Sequence, residues 1–233
     1  MYASYSQKPI TGVRQQRAKS TVPVSPLSPS TKTLVAITAD ELNTKMTIKY
    51  KDYFIDIVDD QTYSINSADN TSHYDKIYFD DSMNQDRFYP TSKHGIRVRL
   101  DNNEQSSALV CEVGGATTIH ENSFIISDDR LYICCCDKVY SLKIPDLSID
   151  WSKRLDPATC FGIYTFDNDL IIHGELTITR IDKGGNLKWE FGERDIFVTQ
   201  DNTKAIVLND NNIELKDWES NKYTLDKNGI EIK

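Results

Sequence analysis

The chain has 233 residues, 39% of them hydrophobic, which is enough for one packed domain, and its formal net charge at pH 7 is −8. Five basic residues and no acidic ones stand in residues 1–33, so this segment has a charge of +5 and the remainder −13. An acidic body disfavours binding to nucleic-acid phosphates and favours a basic protein partner or plain solubility. We therefore expect no nucleic-acid partner.

Membrane and secretory signals are absent from the sequence. No apolar run approaches the roughly 20 residues that span a bilayer, and the N-terminus lacks a charged region followed by an apolar core and a cleavage site. Three of the five cysteines are consecutive on a predicted strand, where neighbouring side chains point to opposite faces, so they form no ready disulfide framework. We predict a cytoplasmic protein without membrane contact. The cysteines are Cys111, Cys134, Cys135, Cys136 and Cys160.

Residues 1–33 are rich in Ser, Thr, Gln and Pro, with no apolar periodicity. This composition predicts a disordered basic tail ahead of a single domain over residues 34–233. A polyproline ligand, a phosphorylated pair at Ser25-Pro26 and Ser28-Pro29, and an organellar transit peptide remain open as functions of the tail.

The first half of the domain is also rich in strand-forming residues. Leu34–Ile37 is predicted as a strand and Ala39–Asn43 as a brief helical turn, with further strands up to Cys111. The segment Asp80–Lys93 is predicted as a long loop, and loops of this length in compact domains are often functional. This half does not align with the repeats that follow, so it forms either two degenerate units or a separate small sheet.

Residues 164–191 hold the clearest copy of a repeated unit. Apolar runs alternate with Asp, Asn and Gly turn signals, and the unit closes on Trp189. In its third run, alternation places Leu176, Ile178 and either Arg180 or a bulge-shifted Ile181 on one side.

Two further copies flank this unit. The upstream copy has its landmarks 38 or 39 residues earlier, with Asp128 before Asp167 and Trp151 before Trp189. In the downstream copy, Tyr223 stands where the tryptophan is expected. A period in the high thirties, with several short strands per unit, is typical of β-propeller blades. The fold class predicted is all-β, a small or irregular β-propeller of about five antiparallel blades.

The run Arg180–Trp189 resembles the repeat of quinoprotein-type (PQQ-repeat, WD40-like) β-propellers, in which a glycine-containing Asp turn precedes a strand with tryptophan. The resemblance covers residues 123–225 and involves structural residues only. The upstream copy departs from it, with Pro145-Asp146 in place of glycines. Such repeats serve mainly as scaffolds, so the resemblance implies no cofactor.

Two His/Glu pairs stand in predicted loops. His120-Glu121 follows a Gly-Gly segment, and His173 and Glu175 flank a glycine in the central copy. Such pairs can supply a general base and an orienting carboxylate, although polar turn residues that bond the backbone are the commoner case. Histidines and cysteines are also zinc ligands, but a C-C-C run lacks knuckle spacing, so we predict no metal site.

Two functions remain open from the sequence. The first is a non-catalytic protein-binding scaffold, such as an immunity protein that neutralises a basic toxin, with acidic side chains steering association. The second is a hydrolase or lyase that uses His120, Glu121, His173 and Glu175. The oligomeric state stays open. The predicted binding residues are Asp80, Asp81, Arg87, Tyr89, His94, His120 and Glu121.

Overall fold

The computed structural model describes residues 33–40, 43–79, 89–192, 195–201 and 203–232, with side chains from residue 45 onward. These residues form seventeen strands and no helix, so the protein is all-β as predicted. The strands lie in four sheets. They are β1 (Thr33–Asp40), β2 (Asn43–Tyr50), β3 (Tyr53–Asp59), β4 (Lys76–Tyr78), β5 (Ser92–Leu100), β6 (Asn103–Glu112), β7 (Phe124–Ser127), β8 (Arg130–Cys135), β9 (Lys138–Lys143), β10 (Ile149–Arg154), β11 (Cys160–Phe166), β12 (Asp169–Gly174), β13 (Thr177–Ile181), β14 (Leu187–Gly192), β15 (Ile206–Leu208), β16 (Asn212–Lys216) and β17 (Lys222–Asp226).

The first sheet contains the part of the chain that does not align with the repeats. Its strand order is β1-β2-β3-β5-β6-β4, and all its pairs are antiparallel except β4 with β6. Of the two alternatives for this half, the structure therefore shows the separate sheet and not two degenerate units. The expected helical turn at Ala39–Asn43 is wrong, because β1 extends to Asp40, which pairs with Asn43 at the start of β2.

The other three sheets are antiparallel meanders, one for each predicted copy. Their orders are β10-β9-β8-β7, β11-β12-β13-β14 and β15-β16-β17. Aspartates occupy the tight turns after β7 and β11, where Asp128, Asp129 and Asp167 have φ angles of 52°, 57° and 53°. Aspartate tolerates this left-handed region better than most residues, which explains why the turn signals marked the strand ends correctly.

Hydrophobic clusters join successive sheets face to face, as in neighbouring propeller blades. Each middle sheet buries both faces because alternate side chains point toward opposite neighbours. In the described ranges, no such cluster joins the fourth sheet to the first. Major contributors are Ile55, Ile96 and Phe124 between the first and second sheets, Tyr132, Cys160 and Ile172 between the second and third, and Ile171, Ile213 and Leu225 between the third and fourth.

Trp151 and Trp189 occupy equivalent environments at two successive junctions. Each indole Nε1–H donates to the carbonyl of a lysine in a turn of the next sheet, Trp151 to Lys183 at 3.1 Å and Trp189 to Lys227 at 3.0 Å. A glycine of the same turn lies against each indole, Gly185 with φ +79° and Gly229 with φ +76°. The repeat thus reflects one docking geometry used twice.

Tyr223 does not occupy the tryptophan position that the sequence suggested. It lies in β17, which pairs with β16 and corresponds to the third strand of a copy, whereas the tryptophans stand in the fourth. Its ring packs on Phe191 and Phe197 of the preceding sheet junction at 5.6 and 6.3 Å, and its hydroxyl donates to Asp217.

In β13, Arg180 and not Ile181 shares the strand face of Ile178, which confirms the first of the two alternatives from the sequence. Ile178 packs toward the fourth sheet and Ile181 toward the second, so they lie on opposite faces. The register shift between Arg180 and Ile181 arises on β14, where Trp189 and Leu187 are their partners. Arg180 therefore shares the face of Ile178, with its guanidinium 5.1 Å from the centre of the Phe166 ring.

Candidate functional site

At one end of the sheets, the loops of successive sheets are tied together by main-chain hydrogen bonds. Cys160 N donates to Cys136 O, Glu175 N to Thr159 O, Phe197 N to Glu175 O and Trp218 N to Ile196 O, all over 2.7–2.9 Å. Thr91, just before β5, bonds Glu112 and Gly114 at the end of β6, and its hydroxyl lies 3.4 Å from Cys136 Sγ in a turn of the second sheet. We call this end the rim. It comprises residues 89–92, 112–123, 136–137, 156–162, 173–176, 195–198 and 217–219.

His120 is exposed on the rim and its two ring nitrogens have different hydrogen-bond roles. Nε2 lies 3.0 Å from the carbonyl of Phe161, which can only accept, so Nε2 carries the proton. Nδ1 accepts from the main-chain N–H of Asn122 at 3.3 Å. These bonds fix one neutral tautomer and tie the loop before β7 to β11 of the next sheet.

His173, in β12, is also bonded to a main-chain carbonyl through Nε2. Its Nε2–H donates to the carbonyl of Phe197 at 2.8 Å, and its ring packs edge-on against Phe161 with centroids 5.7 Å apart. Burial lowers the pKa of His173 below its ordinary value, more than the hydrogen bond to Phe197 raises it. His173 is therefore a neutral donor at pH 7, and Phe161 lies between it and His120.

The two glutamates of the predicted site have different positions. Glu121 is exposed on the rim beside His120, whereas Glu175 is half-buried. Glu175 links sheets through its backbone, because its N–H donates to Thr159 and its carbonyl accepts from Phe197. His120, Glu121, His173 and Glu175 thus lie on the same rim.

The predicted binding residues fall into three groups. Asp80, Asp81 and Arg87 lie outside the described residues. Tyr89, His120 and Glu121 are exposed on the rim, Tyr89 at 82%. His94 is fully buried, at 0% exposure, so its side chain is not part of the rim surface.

His94 belongs to a buried polar network beneath the rim. Its Nδ1 lies 2.9 Å from Asp59 Oδ1, and its Nε2 lies 2.9 Å from Thr117 Oγ1. Thr117 in turn bonds Ser92 through its main-chain N–H at 2.8 Å and its hydroxyl at 3.0 Å. The main-chain N–H of Cys136 also donates to Thr117 Oγ1, at 3.2 Å. The network therefore connects the first sheet to a turn of the second.

An acid, an imidazole and a hydroxyl in this order resemble a hydrolase triad, but the hydroxyls are closed to substrate, with Ser92 at 0% and Thr117 at 6% exposure. Their role is to satisfy buried polar groups where the two sheets meet. Strand alternation could have revealed this, because His94 shares its strand face with the buried Ile96 and Val98.

Cys136 lies at the edge of this network, in the turn between β8 and β9, with φ +53°. Hydrogen bonds with Cys135, Ser92 and Thr91 outweigh its burial and lower the pKa of the thiol to about 7. The Thr91 hydroxyl lies 3.4 Å from the sulfur. The other cysteines are also free and buried, and burial raises the pKa of Cys111 to about 12.

In the part of the chain that the structure describes, no three His, Cys, Asp or Glu side chains are grouped so as to hold a metal ion. The described ranges also contain no helix that is long and apolar enough to cross a bilayer.

Large apolar side chains and carboxylates are exposed together on the rim. Leu176 and Trp218 are 37% and 43% exposed, and both adjoin exposed or half-exposed glutamates, Glu175 and Glu219. The bonds Phe197–Glu175 and Trp218–Ile196 hold these two loops side by side. Tyr89 stands at the other end of the same rim.

No protein-family model and no curated protein matches the sequence. Among solved structures, BamB from Moraxella catarrhalis is similar at 14% identity and a TM-score of 0.41, over 60% of this chain and 42% of that one. The computationally designed Ika8 protein is similar at 9% identity and a TM-score of 0.45, over 86% of this chain and 60% of that one. The AfRom2 CNH domain is similar at 9% identity and a TM-score of 0.40, over 86% and 69%. The chain thus spans less than two thirds of the BamB and Ika8 chains.

Proposed function

We propose that the protein is a non-catalytic scaffold that binds a basic protein through its rim. The observation that supports this most directly is the combination of exposed Tyr89, Leu176 and Trp218 with carboxylates on one continuous set of loops. Aromatic side chains at the centre of a protein interface contribute much of the binding energy, and surrounding charges select the partner.

The histidines support a structural role for the polar rim residues. His120 and His173 each use Nε2–H to bind a main-chain carbonyl, that of Phe161 in β11 and that of Phe197 between β14 and β15. These two bonds indicate that the imidazoles position segments of the rim. They leave the rim as a rigid surface, which lowers the entropic cost of docking a partner.

The charge of the chain supports a basic partner. Residues 34–233 have a formal charge of −13, so a cationic protein would be attracted over distances of about a Debye length, roughly 10 Å at 0.1 M salt. Within this proposal, the chain acts in the cytoplasm as an immunity protein that covers a basic toxin, and its blades belong to the quinoprotein type of repeat. We propose no cofactor for it.

The test is capture of binding proteins from lysate on the immobilised full chain at low salt, followed by mass spectrometry. The variants are Trp218→Ala and Tyr89→Ala on the rim, with Leu187→Ala as control because Leu187 is 61% exposed on the outer strand β14. We expect a basic protein whose capture falls at least about tenfold with either rim variant, a loss of about 1.4 kcal/mol, and stays unchanged with the control. Capture that is equal for all variants, or capture of acidic proteins only, would contradict the proposal.

A hydrolase or lyase is the second candidate, and one observation favours it: His120 and His173 flank the same residue, Phe161. Neutral His173 is in the protonation state that a general base requires. Hydrolysis of a panel of ester, phosphoester and glycoside substrates that disappears in His173→Gln and persists in His73→Gln would support the enzyme and count against the scaffold.

A further inference from the structure

A cleft of about 300 Å³ opens between the third and fourth sheets. It is lined by Arg180, Lys188, Trp189, Lys227 and Asn228. Its volume lies at the lower end of the roughly 300–1,000 Å³ of small-ligand sites. Three cationic side chains in one cleft suit an anionic ligand.

The preceding junction, between the second and third sheets, provides an internal comparison. Trp151 pairs with Ser141 there, just as Trp189 pairs with Arg180. The neighbour of Ser141 across the sheet is Tyr132, whose fully buried ring lies 5.8 Å from the Trp151 ring. The tyrosine hydroxyl donates to the carbonyl of Lys183, so its side chain occupies the space between the sheets.

At the cleft, the corresponding cross-strand pair is Ile171 with Arg180. Ile171 is shorter than a tyrosine and packs into the core, so it cannot bond the turn of the fourth sheet. The side chain of Arg180 makes that bond instead. Its Nη1–H donates to the carbonyl of Lys227 at 2.7 Å, which is the counterpart of the Tyr132 bond. The exchange of tyrosine for isoleucine and arginine therefore adds a positive charge at the junction.

The charges of an outer ion pair are also exchanged between the two sheets. In the second sheet, Arg130 at the start of β8 pairs with Asp150, which precedes Trp151. In the third sheet, Asp169 at the start of β12 pairs at 2.8 Å with Lys188, which precedes Trp189. Both sheets thus have an ion pair at this position, but the acidic and basic residues have exchanged strands. In the third sheet the basic residue therefore stands next to the tryptophan, at the cleft.

The carboxylates behind the cleft hold the cations in place without using all their donors. Asp169 binds the largely buried Arg180 at 2.7 Å as well as Lys188, and Asp167 binds Lys227 at 3.0 Å. Arg180 also lies 3.4 Å from Asp167, so each carboxylate contacts two of the three cations. Each ammonium has three N–H donors, and the side chains of Lys188 and Lys227 are 47% and 39% exposed.

We propose that this cleft binds a phosphate-bearing small molecule or free phosphate, with Lys188 and Lys227 donating to the phosphate oxygens and Arg180 fixing the wall of the cleft. Phosphate is favoured because it accepts hydrogen bonds from several directions, as two ammonium groups on different sheets require. The ligand would bridge the third and fourth sheets. This site is separate from the rim and does not depend on the function proposed there.

The experiment titrates the full chain with inorganic phosphate and with pyrophosphate by calorimetry, at about 10 mM ionic strength, where screening is weak. Lys188→Gln and Lys227→Gln each remove one ammonium from the cleft. Lys143→Gln is the matched control, because Lys143 is 51% exposed and pairs with Asp150 in the second sheet. We expect saturable binding with one site per chain, weakened at least about tenfold by either cleft variant and unchanged by the control.

Thermal unfolding of each variant checks that the fold is intact, and added pyrophosphate should raise the Tm of the native chain and of Lys143→Gln only. Failure of both anions to bind, binding that survives Lys188→Gln and Lys227→Gln, or an equal loss with Lys143→Gln would each overturn the proposal. A stronger response to pyrophosphate would indicate a phosphorylated molecule, and an equal response would indicate free phosphate.

Discussion

Trp189 donates its indole N–H to the carbonyl of Lys227, and Gly229 of the same turn lies flat against the indole ring. The side chain of Lys227 continues the contact, because its ammonium binds Asp167 at 3.0 Å in the third sheet. Trp151, Lys183, Gly185 and Asp128 repeat these contacts one sheet earlier. In the third and fourth sheets, a single turn therefore joins the sheet to the one before it through a ring, a backbone bond and an ion pair.

Gly229→Ala should destabilise the protein. A Cβ at this position would lie 2.6 Å from Cδ2 of Trp189, and the backbone has φ +76°. Overlap with a ring and a left-handed backbone together should cost about 1–3 kcal/mol of unfolding free energy. Gly184→Ala is the control, since its nearest neighbours are side-chain ends at 3.2 and 3.4 Å, and it should cost clearly less. Urea unfolding measures both, and equal costs would contradict the packing described for the indole.

His94→Ala should be more harmful than an ordinary histidine substitution. It leaves a cavity and removes the partner that His94 provides to Asp59 and to Thr117 in the interior. We expect a loss of about 2–4 kcal/mol, measured by urea unfolding. His73→Ala is the matched control because His73 is exposed, and it should change stability by less than about 0.5 kcal/mol. A similar small change in both variants would show that the buried network contributes little.

Acid should weaken the turn contacts through Asp128 and Asp167. Hydrogen bonds from Lys183 and Lys227 hold the pKa of each carboxyl below its ordinary value of 3.8. A carboxyl with a lowered folded-state pKa contributes stability above the unfolded pKa and loses it as pH falls through the folded value. Stability should thus fall below about pH 4. The free energy of unfolding, measured with urea, should decrease less between pH 6 and pH 2.5 in the double variant Asp128→Asn and Asp167→Asn than in the native chain. In the exposed control Asp210→Asn the decrease should equal that of the native chain.

Cys136 should be protected from reagents despite its acidic thiol. The lowered pKa, about 7, makes a substantial thiolate fraction at neutral pH, but the residue is 0% exposed. We expect slow reaction with a thiol-reactive disulfide in the native state and reaction of all five cysteines in urea. Thr91→Ala removes the hydroxyl that lies 3.4 Å from the sulfur and should raise the pH midpoint of the native reaction. Rapid native labelling of Cys136 would contradict the observed burial.

Local sequence signals located most strands because they depend on neighbouring residues. The Asp turns after β7 and β11 and the alternation in β13 follow from backbone preferences and from which side chains can be buried. The same signals were insufficient at Ala39–Asn43 and at Tyr223. The strand pairing of Asp40 with Asn43, and the assignment of β17 to the third strand of its sheet, depend on residues that pair across the sheet.

The sequence by itself determined that the protein is all-β, that three copies of one unit follow each other, and that tryptophans mark equivalent positions, because periodicity and turn chemistry are written in neighbouring residues. Only the tertiary structure decided that His120 and His173 bind the main-chain carbonyls of Phe161 and Phe197, and that Arg180, Lys188 and Lys227 share a cleft. These relationships join residues of different sheets. Their distances depend on how the sheets stack, and no pattern within a single strand contains that information.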